Sequence, residues 1–179
     1  MLNKENTVLV VIDVQGRLAT LMHNKEEFFA NVVRMIKGAQ VLDVPIIWNE
    51  QLPDKLGATI PEIRDALKEA SPLVKNTFSC CGNDTFSHQL GALDREQVLL
   101  VGMETHVCVY QTAIDLLEAG YEVYLVADAV SSRSLENKQI GIDAIRDAGA
   151  KLTSVEMCLF EILGVAEGDR FKQIINIIK

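Results

Sequence analysis

TVLVVID, residues 7–13, is the stretch that decides the fold. It is a continuous apolar run ending in an acid, without the in-out alternation of a strand that keeps one face in water, so it reads as a strand covered on both faces. The rest of the chain must supply the covering. Residues Glu26 to Leu42 place Phe29, Val32, Val33, Ile36 and Ala39 on one helical stripe. The cycle then repeats with strand VPIIW (44–48), a loop, and a helix from Pro61 to Glu69, where proline suits the first turn. PLVKN (72–76) is a short third strand, followed by a helix over Asp84 to Leu93 and strand QVLLVG (97–102). A helix from His106 to Glu118 is closed by Gly120. Strand YEVYLVAD (121–128), helix Leu135 to Asp147, strand KLTSVE (151–156) and a terminal helix ending in FKQIINIIK complete the order.

Six runs interleaved with helices predict an α/β fold, a parallel sheet with helices on both faces. The 179 residues fit one domain, spanning 1–179, with no repeat, low-complexity tract or linker. Ligands of such sheets bind beyond the carboxyl ends of the strands, where strand order reverses. Asp13, Lys75 and the region of Cys108 all fall at or just past strand ends, and so can converge on one rim.

Composition narrows the function. About half the residues are apolar and no run approaches the roughly 18 apolar residues of a membrane span, so no membrane partner is expected. The N-terminus lacks the basic, long apolar and small-residue regions of a signal peptide. Cys80, Cys81, Cys108 and Cys158 show no C-x-x-C spacing and read as reduced thiols, which places the protein in the cytoplasm. A net charge of −8 without a Lys/Arg run argues against a nucleic-acid partner.

Cys108 stands out by position. In VGMETHVCV (101–109) a strand ends at Gly102, Thr105 can cap a helix, and Cys108 falls in its first turn. Helix-start N–H groups and the dipole there favour a thiolate, so a lowered thiol pKa is expected; the plainer reading is a small core residue. A thiolate nucleophile needs a proton acceptor and a nearby cation. Asp13 is the candidate acceptor, or else a strand-end cap, and Lys75 the candidate cation, or else a solvated surface amine. His106 is two residues from Cys108, so the two side chains diverge on a helix and form no Cys-His dyad.

VLVVIDVQ (8–15), LVKNTFS (73–79) and VGMETHVCV, in that order and spacing, resemble the isochorismatase-like cysteine hydrolases. NEQ (49–51), TFS (77–79), GMETHVC (102–108) and DAVSSRS (128–134) are most similar to the small isochorismatase-domain-containing proteins, and the resemblance covers nearly the whole chain. It implies a three-layer α/β/α sandwich around a six-stranded parallel sheet of order 3-2-1-4-5-6. It also implies Cys108 as nucleophile, Asp13 as general base and Lys75 as the cation. A cis peptide at Met103–Glu104 would aim the N–H groups of Glu104 and Cys108 at an oxyanion. Gln15, Glu50, Gln51 and Phe78 are candidate substrate-binding or supporting residues, and Trp48 a candidate apolar wall. Metal-dependent nicotinamidases carry an aspartate and histidines after the second strand; WNEQLPDKLGATIPEI (48–63) has no histidine, so no metal and no cofactor are expected. The implied activity is hydrolysis of a small carboxamide or ureido compound through a thioester, in a homo-oligomer to which FKQIINIIK contributes unless it only caps the core. The alternative is a non-catalytic or redox-sensing binding module on the same fold.

Overall fold

The computed structural model describes residues 1–67 and 70–179. Six strands, β1 (Thr7–Ile12), β2 (Ile46–Gln51), β3 (Leu73–Lys75), β4 (Gln97–Met103), β5 (Glu122–Ser131) and β6 (Lys151–Thr153), form one sheet in the order β3-β2-β1-β4-β5-β6. Every strand pairing in it is parallel. Every residue of β1 is buried, as its unbroken apolar run requires.

One helical layer comprises α2 (Lys25–Val41), α4 (Pro61–Ala66), α8 (Val155–Leu163) and α9 (Gly168–Ile178), packed on Leu9, Val11, Leu99, Val101 and Tyr124. The other comprises α5 (Asp84–Ala92), α6 (Tyr110–Glu118) and α7 (Leu135–Asp147), packed on Val8, Val10, Ile12, Leu100 and Val123. Alternate residues of each central strand therefore serve opposite layers. Two four-residue helices, α1 (Gly16–Ala19) and α3 (Pro53–Leu56), lie in the connections beyond β1 and β2.

Several boundaries differ from expectation. The expected helix end at Glu69 lies outside the described residues, and α4 runs to Ala66. In α2 the buried stripe is Phe28, Val32, Met35, Ile36 and Ala39; Phe29 and Val33 are only partly buried, because the face turned to the sheet lies one residue earlier at its N-terminal end. Strand β2 begins and ends later than VPIIW, which brings Asn49, Glu50 and Gln51 into the sheet. Strand β6 stops at Thr153, since Ser154 caps α8 by accepting from Met157 N–H. The expected terminal helix is two helices, broken at Gly164 with φ 72°.

At the centre of the sheet β1 has β2 on one side and β4 on the other, so the order reverses there. Gly102, at the end of β4, has φ 139°, and a Cβ built on it would stand 2.2 Å from the Ile12 carbonyl oxygen. Only glycine lets the two central strands close at this level. Gly102→Ala is expected to destabilise the protein by roughly 2–3 kcal/mol, read as a lower urea midpoint with an unchanged slope; a midpoint equal to wild type would contradict this packing.

Candidate active site

Asp13 succeeds β1 with φ 54°, a left-handed turn that carries its carboxylate over the sheet rim. Its N–H donates to the Asn49 carbonyl at 3.2 Å, so the turn is tied to β2. Lys75 ends β3 opposite Gln51. Its Nζ donates to Asp13 Oδ2 at 2.6 Å, to Thr77 O at 3.0 Å and to Phe78 O at 2.8 Å. All three ammonium protons thus have acceptors, and the side chain is fully buried. That is the opposite of a solvated surface amine, and no spacing in the sequence reveals it.

Asp13 Oδ1 is buried without a hydrogen-bond partner. Burial pushes the Asp13 pKa above the ordinary carboxylate range, and the Lys75 charge opposes that rise in part. The result is a carboxylate more basic than a free one, with one oxygen held by the lysine and the other unoccupied.

Cys108 lies on a turn less regular than a plain helix start. Residues Thr105–Val109 form a single π-helical turn ahead of α6, Glu104 precedes it at φ 58° and ψ 61°, and no side chain caps it. Thr105 is therefore no N-cap; its buried Oγ1 has no partner. The Met103–Glu104 bond is trans, since no cis peptide occurs among the described residues; the reversal is made instead by the positive φ of Gly102 and Glu104. Holding a glutamate in the left-handed region costs about 1–3 kcal/mol. Helix α7 packs directly onto this turn, for a Cβ on Gly141 would meet Thr105 C at 2.7 Å and His106 N at 2.8 Å.

The Cys108 thiol donates to Gln51 Oε1 at 3.3 Å and is buried. Its pKa is pushed up to about 12, first by burial and then by the neighbouring Asp13 carboxylate, against which Lys75 acts. This reverses the expected lowering. The helix start is present, but desolvation and the adjacent negative charge outweigh it, and the thiol rests protonated. Burial also pushes up Cys81, to about 11, and Cys158, to about 12. Among the described residues no group of three or more His, Cys, Asp or Glu side chains is placed to share a metal.

The remaining expected residues are mostly supports. Gln15 is buried; its Oε1 accepts from Gln51 N–H at 2.6 Å and its Nε2 donates to Gly57 O at 2.7 Å, so it fastens the β2–α3 connection and makes no hydrogen bond to Asp13. Glu50 Oε1 accepts from Thr59 N–H at 2.6 Å, and Trp48 Nε1 donates to Thr59 Oγ1 at 2.9 Å within the core. Gln51 alone of this group touches the thiol. The Phe78 side chain is exposed and its carbonyl is what serves the site, through Lys75. His106 turns away from Cys108, with Nδ1 3.0 Å from Ser132 Oγ.

Other members carry little or no signal in the sequence. Thr112 Oγ1 donates to the Cys108 carbonyl at 2.7 Å and accepts from Cys80 N–H at 3.0 Å, fixing the start of α6 to the segment after Lys75. Its only sequence signal is a position one helical turn past the cysteine. Arg133, within DAVSSRS, bonds Glu104 Oε1 through Nε at 3.2 Å.

A parallel sheet of this order, with a thiol, a carboxylate and an ammonium gathered where it reverses, defines the class as a doubly wound α/β protein with a candidate catalytic site at its switch point. Residues 7–157 match the Isochorismatase domain, and the chain belongs to that family. It is 36% identical over 178 residues to the secreted isochorismatase effector Isc1 of Phytophthora sojae, covering 97% of this chain and 85% of that one. Identity to isochorismatase domain-containing protein 2 of Xenopus laevis is 35% over 178 residues, covering 99% and 85%. The MAR1 ribonuclease structure from Caenorhabditis elegans superposes with a TM-score of 0.92 at 36% identity, covering 99% and 91%. The Escherichia coli YcaC product, described as an octameric hydrolase of unknown specificity, has the same fold (TM-score 0.93, 22% identity, 99% and 88% covered).

Two outcomes are expected. Lys75→Met leaves the buried Asp13 carboxylate without its counter-ion and should lower stability at neutral pH by about 3–5 kcal/mol. That deficit, measured by chemical denaturation, should shrink on acidification as Asp13 protonates. Alkylation of Cys108 by iodoacetamide, quantified by peptide mass spectrometry, should climb about tenfold per pH unit from roughly pH 7 to 9 without a plateau; a midpoint below about 8.5 would refute the protonated resting thiol.

Proposed function

We propose that the protein is a cysteine-dependent hydrolase of small carboxamide or ureido compounds, working through a thioester and without a metal. The observation that carries this reading is the buried Oδ1 of Asp13, left without a partner while Lys75 occupies Oδ2 and close enough to the Cys108 thiol for each group to shift the other's pKa. A buried acceptor left open next to a buried donor is a proton-transfer pair waiting for a reaction to drive it.

Because the resting thiol is protonated, attack and proton transfer are coupled. Asp13 takes the Cys108 proton as sulfur bonds to the substrate carbonyl carbon, whose oxygen becomes the oxyanion. The N–H groups of Glu104 and Cys108 are assigned to hold that oxygen, a role that rests on the left-handed turn at Glu104 and not on the cis bond expected from the sequence. Collapse breaks the C–N bond, and Asp13 returns the proton to the departing amine or ammonia. Water then gives a proton to Asp13 and attacks the thioester, the C–S bond breaks, and the thiolate recovers its proton as the acid leaves. Lys75 stays charged throughout, compensating whichever of Asp13 and Cys108 is anionic. The raised pKa of Asp13 suits this work, since a more basic carboxylate is a better match for a thiol.

The net charge of −8 disfavours a polyanionic substrate, and a small molecule suits a site whose three central side chains are all buried. The ribonuclease name of the nematode neighbour makes RNA cleavage the control assay. The octameric description of the YcaC product supports a homo-oligomer for this chain as well. The cytoplasmic location is part of the same proposal and rests on cysteines that form no disulfide with one another; no described helix is long and apolar enough to cross a membrane.

On a panel of small amides and ureido compounds, Cys108→Ala should abolish turnover. Asp13→Asn should reduce it about 10²–10⁴-fold while leaving iodoacetamide alkylation of Cys108 equal to or faster than wild type, because the charge opposing thiolate formation is gone. Full turnover by Cys108→Ala, or RNA cleavage that both substitutions abolish, would sink the reading.

A further inference from the structure

The Glu104 side chain, whose backbone alone enters the reaction proposed above, is bonded by Arg133 and flanked by His106. It is buried; Arg133 Nε meets its Oε1 at 3.2 Å and His106 Nε2 lies 3.7 Å from its Oε2. The other ring nitrogen of His106 meets Ser132 Oγ at 3.0 Å, so residues 132 and 133 both hold the start of the turn. They reach it through an irregularity in β5. Leu100 pairs with Leu125, but Gly102 pairs with Val130 and Met103 with Ser131, so the partner offset grows from 25 to 28 residues. The additional chain in β5 returns the strand to the end of β4 and delivers Ser132 and Arg133 beside Glu104. Behind them, Ser131 Oγ donates to His23 O at 2.7 Å and His23 N–H donates to Ser132 O at 2.8 Å, which anchors the delivering segment to the connection before α2.

A surface glutamate would need none of this, and a left-handed backbone at a non-glycine residue persists only where its surroundings enforce it. We propose that Arg133, with His106 and the Glu104 carboxylate, positions the Glu104–Val109 turn so that its N–H groups stay aimed at the oxyanion. Arg133 is a positioning residue for this step and a specific one, because its bond is to the side chain of the residue whose N–H is at issue. The inference rests on the cysteine-hydrolase reading.

Two reagents separate positioning from thiol reactivity in the full chain. p-Nitrophenyl acetate acylates a thiol through a tetrahedral oxyanion: the S–C bond forms, p-nitrophenolate leaves and Asp13 takes the thiol proton. Iodoacetamide alkylates by direct displacement: the S–C bond forms, iodide leaves and no carbonyl oxyanion develops. Both reagents use the Cys108 sulfur, and Arg133 bonds Glu104 rather than the base Asp13, so in these variants the ratio of the two rates at Cys108, tracked by peptide mass spectrometry, reports on the anion hole rather than on thiol reactivity. In Glu104→Gln and Arg133→Gln the acylation-to-alkylation ratio should fall about ten- to a hundredfold. Alkylation of Glu104→Gln should hold or rise, since the Glu104 charge opposes thiolate formation. Arg133→Lys should recover part of the ratio. An unchanged ratio in both glutamine variants, or equal losses in both rates, overturns the positioning role while leaving the hydrolase reading intact. A wild-type Cys108 that is alkylated but never acylated overturns the hydrolase reading itself.

Discussion

The ion pair between Lys75 and Asp13 is the constraint on which the rest of the site depends. Two opposite charges withdrawn from water require near-complete compensation, and here the lysine receives it from one carboxylate oxygen and two backbone carbonyls. Those carbonyls belong to Thr77 and Phe78, so the segment after β3 must wrap around the ammonium. Asp13 must leave β1 in a left-handed turn for its carboxylate to meet the amine. With Oδ2 committed, Oδ1 is the oxygen left for the thiol, and the electrostatics of Cys108 are set by this pair.

The architecture is legible in the sequence because it is a matter of periodicity. A strand with no wet face demands helices on both sides, and the repeated strand-helix alternation yields the parallel sheet. The three motifs carry the strand order and the candidate residues. Strand ends are less legible, since Asn49, Glu50 and Gln51 are polar residues buried within β2, stabilised by partners distant in sequence such as Gln15 and Thr59. The extension of β5 past Asp128, where the expected strand ends, to Ser131 is invisible for a similar reason, since it depends on pairing with β4.

The chemistry of the cysteine departs from expectation on one physical point. A helix start stabilises a thiolate by a fraction of a unit charge, whereas burial and a neighbouring carboxylate act on the whole charge. Sequence shows the first and conceals the others. The same concealment covers Thr112 and Arg133, ordinary residue types whose roles consist only of what they touch across the fold.

The protonated state of Cys108 also bears on how long such a site survives. Peroxides attack thiolates rather than thiols, so a sulfur ionised at rest is continually exposed to sulfenic and then irreversible sulfinic oxidation. A thiol whose pKa burial and Asp13 have pushed up to about 12 offers almost no thiolate at neutral pH. In the reaction proposed above, the proton departs as the carbonyl accepts the electrons, so no standing thiolate is needed. A thiol held protonated presents little thiolate for a peroxide to attack, so burial and Asp13 shield the sulfur as well as the fold does.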